Sequence, residues 1–229
     1  MINIAYCFDK NVIDYLKVSL LSLLANKKEE THYNIMGICS PDALECVTEL
    51  KRLVYSRDKY SSVEIKESLE SVKNAYEIRN ITTATYYRFD LAEHFSDVDK
   101  LIYLDVDTYI NGDLNELWDI DVGSNFMCGV RADVNLYKSW ENKLTDYEYW
   151  KELEDWRGNY INAGVMIMNL QLIREYKLPA LWKSMVSSPY FYQDQDIINI
   201  TCKPSIGILP MKYNFMTFYT EDDYICLLY

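Results

Sequence analysis

The sequence predicts an α/β domain with a mostly parallel central sheet flanked by helices, and three observations carry that expectation. Strand-like and helical stretches alternate through the first half, which requires the crossover connections that make parallel sheets. Leu101-Ile102-Tyr103-Leu104 is a short run, apolar on both faces, as a central strand covered by helices must be. No linker, repeat or low-complexity segment interrupts the 229 residues, so a single domain over 1–229 is expected.

Taken in order, Ile2 to Tyr6 reads as a first strand. Asp9-Lys10-Asn11 is the loop leading into an apolar, helically periodic stretch from about Val12 to Ala25. Tyr33 to Cys39 is a second strand. Ser40-Pro41-Asp42 then opens a helix, with a hydroxyl to cap free backbone N–H groups, proline in the first turn and an acid near the positive end. A third strand is expected around Val63 to Ile65, and Leu101 to Leu104 supplies the central one. The second half is less regular. Tyr160 to Leu170 reads as a turn feeding a strand, a helix follows to about Val186, and Tyr192 to Asn199 is a loop opening another helix. The first half is thus Rossmann-like, but it has no Gly-x-Gly-x-x-Gly turn after the first strand. The chain also has no P-loop, so ordinary dinucleotide and P-loop sites are excluded.

Composition narrows the function classes. A formal charge of −12 opposes both a nucleic-acid backbone and an anionic membrane surface, so neither is an expected partner. No apolar run approaches the roughly 20 residues of a membrane span. Met1-Ile2-Asn3-Ile4-Ala5-Tyr6 lacks the basic start of a secretion signal, and a soluble, cytoplasmic protein is expected. The cysteines, Cys7, Cys39, Cys46, Cys128, Cys202 and Cys226, have no metal-binding spacing. Buried thiols in a reducing compartment are expected rather than disulfides or zinc. The 21 tyrosines offer faces that stack on sugars, or reflect only a bias shared with Ile, Lys and Asn.

The apolar run ends in Asp105-Val106-Asp107. Nineteen aspartates in 229 residues would give about 1.6 Asp-x-Asp pairs by chance and the chain has four, so context has to choose among them. Asp97/Asp99 sit in a polar loop and Asp119/Asp121 follow Leu117-Trp118 in a turn, where solvation explains them. Asp194/Asp196 and, above all, Asp105/Asp107 have other surroundings. The latter leave the C-terminal end of a buried strand, the edge where open α/β sheets bind ligands. Two hard oxygen donors there suit Mg²⁺ or Mn²⁺, and a diphosphate is their natural third partner. An acidic chain that binds a diphosphate also needs a positive group, which a metal ion and an arginine fork supply.

Four segments, in this order, resemble family 8 glycosyltransferases, the retaining GT-A enzymes that include glycogenin and bacterial lipopolysaccharide galactosyl- and glucosyltransferases. They are Ala5 to Asn11, Ile81-Thr82-Thr83-Ala84-Thr85-Tyr86-Tyr87-Arg88, Leu101 to Asp107, and Ile161 to Val165 with Tyr192 to Asn199. The resemblance implies metal-dependent transfer of glucose or galactose, with retention, from a UDP-hexose to a carbohydrate, lipopolysaccharide or glycoprotein glycan. It places Cys7, Asp9 and Asn11 where the family's first loop holds uridine and ribose; the aromatic that often follows there is Val12 in this chain. It places Arg88 where the family's arginine approaches the donor, with a salt bridge to an acid such as Asp90 as the plainer alternative. Asp105 and Asp107 match the motif that holds Mn²⁺ or Mg²⁺, and Val106 the backbone contacts to ribose. Asn162, Ala163 and Gly164 match a turn that lets backbone approach the hexose. Asp194 and Gln195 match the catalytic positions, Asp194 accepting hexose hydroxyls and Gln195 near the anomeric carbon, with Asp196 behind them. An amide is a poor nucleophile, which favours a front-face course in which the leaving diphosphate deprotonates the acceptor.

The family pattern continues into a segment resembling His-x-x-Gly-x-x-Lys-Pro-Trp, whose His completes the metal site and whose Lys holds the diphosphate. These 229 residues contain no match to it, and His32 and His94 lie in other contexts. Either the sequence is a truncated form or its third ligand comes from water or elsewhere, and an open site with weak UDP affinity is expected. Two rival readings stand beside transfer. One is a nucleotide-sugar-binding module without turnover; the other is a sugar-phosphate nucleotidyltransferase, for which the chain lacks a glycine-rich, basic opening loop.

Overall fold

A computed structural model of the chain describes residues 1–68, 72, 74–77, 82–132 and 159–215. Three strands follow from apolar runs, β1 (Ile2–Phe8), β2 (Tyr33–Cys39) and β4 (Lys100–Leu104), and the alternating β3 (Ser62–Glu67) lies at the sheet edge. With β5 (Met127–Arg131), β6 (Ile161–Asn169) and β7 (Ile206–Leu209) they form a seven-stranded sheet of order β3-β2-β1-β4-β6-β5-β7. The pairs β1·β2, β2·β3, β1·β4 and β5·β7 are parallel, whereas β6 runs antiparallel to both β4 and β5. One reversed strand therefore sits inside an otherwise parallel sheet.

Helices cover both faces, as the unbroken apolar runs require. On one face α1 (Ile13–Ala25) and α2 (Val47–Arg57) bury Leu16, Leu20, Leu23, Leu50 and Val54 against Ile4, Tyr6, Ile35, Ile102 and Ile167. The short helices α3 (Leu91–His94) and α4 (Asn115–Trp118) follow. On the other face a 3-10 segment (Thr83–Asp90), α3, α5 (Leu170–Glu175), α6 (Leu178–Met185) and α7 (Gln193–Thr201) pack on Ala5, Met36, Leu101, Tyr103 and Met166. Trp182 at its centre is fully buried, and its indole N–H donates to Thr201 Oγ1 at 2.7 Å.

Local chemistry departs from the sequence expectation in two places. Ser40 does not cap the backbone of a helix; its hydroxyl donates to Asp42 Oδ1, and a 3-10 turn (Pro41–Cys46) precedes α2. The single helix expected up to Val186 is two, because Lys177 adopts φ 56° and Pro179 starts a new first turn. Cys7, Cys39, Cys128 and Cys202 are buried free thiols and Cys46 is half-buried, while Cys226 lies outside the described residues. No helix among the described residues is long and apolar enough to cross a membrane.

Both histidines belong to the framework. His94 packs beside Phe95, and His32 Nδ1 lies 3.1 Å from Asp58 Oδ2, which also takes the Ser61 hydroxyl at 2.7 Å. Burial pushes the Asp58 carboxyl up, but the bonds from Ser61, the Tyr60 N–H, His32 and Lys27 outweigh it and hold the group below the usual carboxylate range. A lowered folded-state pKa means stability that is present above the ordinary aspartate value and lost as pH falls below it. Thermal unfolding between about pH 5 and pH 3 is therefore expected to weaken more steeply in the wild type than in Asp58→Asn. Parallel pH curves would show that the cluster contributes no linkage.

Candidate functional site

The reversal of β6 builds the site. β1 and β4 are parallel, so Asp9 and Asp105, just past their ends, emerge at the same edge of the sheet. β6 begins at that edge, with Val165 paired to Leu104 and the Asp105 N–H donating to Gly164 O at 2.8 Å. Asn162, Ala163 and Gly164 are thereby laid alongside the Asp-x-Asp loop. The turn expected at Asn162, Ala163 and Gly164 is instead the first part of strand β6, and α7 docks on it through Asn199, whose side chain accepts from the Ile161 N–H at 2.8 Å and donates to Ile161 O at 2.9 Å.

Arg88 holds the centre. It is 5% exposed, and its fork reaches Ala163 O at 2.7 Å, Asp105 Oδ1 at 2.9 Å and Thr85 O at 2.9 Å, with Nε 3.0 Å from Asp194 Oδ2. The guanidinium also lies 4.3 Å from the centre of the Tyr103 ring. Burial alone would lower the Arg88 pKa, but Asp194, Tyr103 and Asp105 hold it charged. Asp194 is the mirror case: burial pushes its carboxyl up to about 6, against the pull of Arg88 and of the Thr85 hydroxyl bonded to its other oxygen. The acid that Arg88 pairs with is not Asp90, which binds Lys183 at 2.9 Å, but Asp194 and Asp105, so the salt bridge of the plainer alternative is present with other partners.

Asp105 is boxed in. The Tyr103 hydroxyl donates to the same Oδ1 as Arg88, at 2.9 Å, while Oδ2 lies against Gly164, where a Cβ would come within 2.9 Å of it. The Asp107 side chain is at the surface of the loop, and its carboxyl is raised by desolvation and then by the like charge of Asp105. Two carboxylates that repel one another, each an oxygen donor at an open edge, fit a hard divalent cation. No group of three His, Cys, Asp or Glu gathers among the described residues, and an ion held by these two carboxylates would need water or phosphate oxygens as its other ligands.

The other predicted residues fall around this centre. Asp9 is buried; its Oδ1 accepts from the Asn11 N–H at 2.8 Å and its Oδ2 from the Thr82 hydroxyl at 2.7 Å, which ties the first loop to the segment carrying Arg88. Asn11 is exposed and Cys7 buried, its thiol pushed up by burial. Gln195 Oε1 accepts from the Ala163 N–H at 3.0 Å and Asn162 Nδ2 at 3.2 Å. The other Asp-x-Asp pairs are framework: Asp99 binds Arg174 at 2.8 Å, and Asp121 accepts the Gly123 N–H at 2.8 Å. The expectation about a family-type tail concerns residues after 215, outside the described ones.

Sequence reasoning did not find Tyr103, Asn199 or Asn214, whose Nδ2 donates to Asn162 Oδ1 at 2.8 Å. Asn199 carried a signal, because it stands four residues after Gln195 and shares its helix face.

Residues 3–225 match the family model described as Glycosyl transferase family 8. The chain belongs to glycosyl transferase family 8. It is 27% identical over 220 residues to a lipopolysaccharide 1,3-galactosyltransferase of Salmonella typhimurium, covering 93% of this chain and 63% of that protein. It is 29% identical over 224 residues to a lipopolysaccharide 1,2-glucosyltransferase of Escherichia coli, covering 93% of this chain and 62% of the relative. The chain thus spans less than two thirds of the length of these curated relatives. Among solved structures it resembles the galactosyltransferase LgtC crystallised with donor and acceptor sugar analogs. The TM-score is 0.76 at 24% identity, over 100% of this chain and 79% of that one. The family 8 chain accordingly has the GT-A fold.

Proposed function

We propose that this family 8 chain moves glucose or galactose, with retention, from a UDP-hexose to a carbohydrate acceptor such as a lipopolysaccharide or glycoprotein glycan. Asp105 and Asp107 would hold Mn²⁺ or Mg²⁺. The observation that carries the reading is the meeting, at one sheet edge, of two repelling carboxylates, a buried arginine fork and a strand start where Gly164 leaves no room for a side chain. The galactosyl- and glucosyltransferase names of the relatives support the hexose and the glycan.

Each residue has a task in that reading. The Asp9 loop, with Cys7 and Asn11, would take the uridine, and Val106 the ribose. Arg88 and Tyr103 occupy one oxygen of Asp105, which leaves Oδ2 and the Asp107 carboxylate for the cation. When bound, that ion supplies Lewis-acid stabilisation of the leaving diphosphate. Asn162, Ala163, Gly164 and Asp194 would frame the hexose. Both ends of the Gln195 carboxamide are hydrogen-bonded within the protein and Asp194 is paired with Arg88 and Thr85. Neither is poised to attack, which supports a front-face course in which a diphosphate oxygen takes the acceptor's proton.

Without an ion, the two carboxylates repel an anionic diphosphate. Calorimetry is expected to show chelator weakening UDP by at least about tenfold, roughly 1.4 kcal/mol. Equal affinity with and without Mn²⁺ would overturn the metal assignment. A panel of UDP-hexoses with Mn²⁺ then decides the activity. Transfer or donor hydrolysis supports the enzyme, binding without turnover selects a binding module, and pyrophosphate released from UTP and a sugar phosphate selects a nucleotidyltransferase.

A further inference from the structure

Resting on that reading of the site, we propose that Tyr160 is a positioning residue that holds the Gln195 carboxamide with its oxygen toward the start of β6, using Asp196 as its anchor. The orientation of the whole chain of groups follows from two backbone donors. The Gly164 N–H donates to Asn162 Oδ1 at 2.8 Å, so the Asn162 amide nitrogen faces Gln195. The Ala163 N–H and that Asn162 nitrogen both point at Gln195 Oε1, at 3.0 Å and 3.2 Å, so the Gln195 nitrogen faces away from the start of β6. It donates to the Tyr160 hydroxyl at 3.0 Å. A tyrosine hydroxyl has one hydrogen, and here it goes to Asp196 Oδ1 at 2.5 Å, leaving the oxygen lone pair to accept from Gln195. The other Asp196 oxygen accepts the Tyr192 N–H at 2.8 Å, where the chain enters α7.

Every member of this relay is determined by its neighbour, and its far end is a carboxylate with 0% exposure. Tyr160 itself is 3% exposed. Rotating Gln195 by half a turn about its amide would set NH₂ against the Ala163 N–H and oxygen against the Tyr160 oxygen, two repulsive contacts. Asp196 thus stands two groups behind the donor side of the site: its carboxylate holds a hydroxyl, and the hydroxyl holds an amide. Remove the hydroxyl and the amide nitrogen loses this acceptor, which loosens the hold on the oxygen that accepts the Ala163 N–H.

Tyr160→Phe keeps the ring and removes the hydroxyl. UDP affinity with Mn²⁺ is expected to stay within about twofold, since the relay touches the sugar side of the site, while kcat falls by about tenfold or more with little change in donor KM. The deciding measurement is a double-mutant cycle with Gln195→Ala. If Tyr160 acts through Gln195, adding Tyr160→Phe to Gln195→Ala costs nothing further; a full additive loss in the double variant overturns the proposal. Should Tyr160→Phe fold poorly, the wild type still tests it. Its Gln195 side-chain amide resonances, assigned by their loss in Gln195→Ala, are expected to exchange slowly with solvent, and fast exchange overturns the relay. Failure of the wider reading looks different: Gln195→Ala would then turn over donor as well as the wild type.

Discussion

Arg88→Ala is expected to lower folding stability by about 3–5 kcal/mol and to abolish transfer. The reason lies in what the fork leaves behind. Asp194, 4% exposed, loses its cation, Asp105 loses a donor and the charge opposite it, and Ala163 O loses its hydrogen bond. Burial already pushes the Asp194 carboxyl up to about 6 with Arg88 in place, and without it the group rises further and takes a proton near neutral pH. A raised folded-state pKa costs stability as pH climbs above the unfolded value. The defect is therefore expected to be larger at about pH 8 than at about pH 5. Arg88→Lys keeps the charge but cannot reach Thr85 O, Ala163 O and two carboxylates from one point, so it should recover part of the stability and little of the activity. Urea unfolding at the two pH values checks this. A loss under about 1 kcal/mol for Arg88→Ala would mean that the two carboxylates find other partners.

Gly164→Ala should separate site from scaffold. The atoms that a Cβ at 164 would meet are Asn162 Oδ1 and Asp105 Oδ2, each at 2.9 Å, and both are ends of side chains rather than backbone. The fold can therefore give way, at a cost expected to stay near 1 kcal/mol. The site cannot, because Asp105 is pinned on its other oxygen by Arg88 and Tyr103, and Asn162 is pinned by Gly164, Gln195 and Asn214. The oxygen displaced is the one left for a cation. Mn²⁺-dependent UDP binding is expected to weaken at least tenfold and turnover to fall by about 10²-fold, with the melting temperature shifted by only a few degrees. Unchanged binding in a folded Gly164→Ala protein would remove Asp105 Oδ2 from the metal site.

Sequence and structure divide the account along a physical line. Local patterns decided the elements whose stability is local. Tyr33 to Cys39 is a strand because it is apolar throughout, Leu101 to Leu104 is a covered central strand for the same reason, and 13–25 is a helix because its apolar residues recur at helical spacing. The Asp105/Asp107 pair stood out because it leaves such a strand, and the pairs at 97/99 and 119/121 read as framework because they do not. Strands β5 and β7, at five and four residues, are too short for periodicity to distinguish, and neither was read from the sequence. The helix break at Lys177 was equally hidden, since one residue at φ 56° leaves no repeating pattern.

What only the tertiary structure decided is direction and partnership. Nothing in Ile161–Asn169 states that it runs against its neighbours, because the side-chain pattern of a buried strand reads the same both ways. Yet that reversal is what brings Asn162, Ala163 and Gly164 to Asp105. Likewise the residue types at 88, 103, 194 and 195 are visible in the sequence, but their hydrogen bonds span up to 109 positions, as Thr85 to Asp194 does. Such pairings depend on where the sheet and α7 put each backbone. The sequence by itself determined the fold class and the kinds of chemistry available at one strand end; the packing of a single reversed strand decided which of those groups could meet.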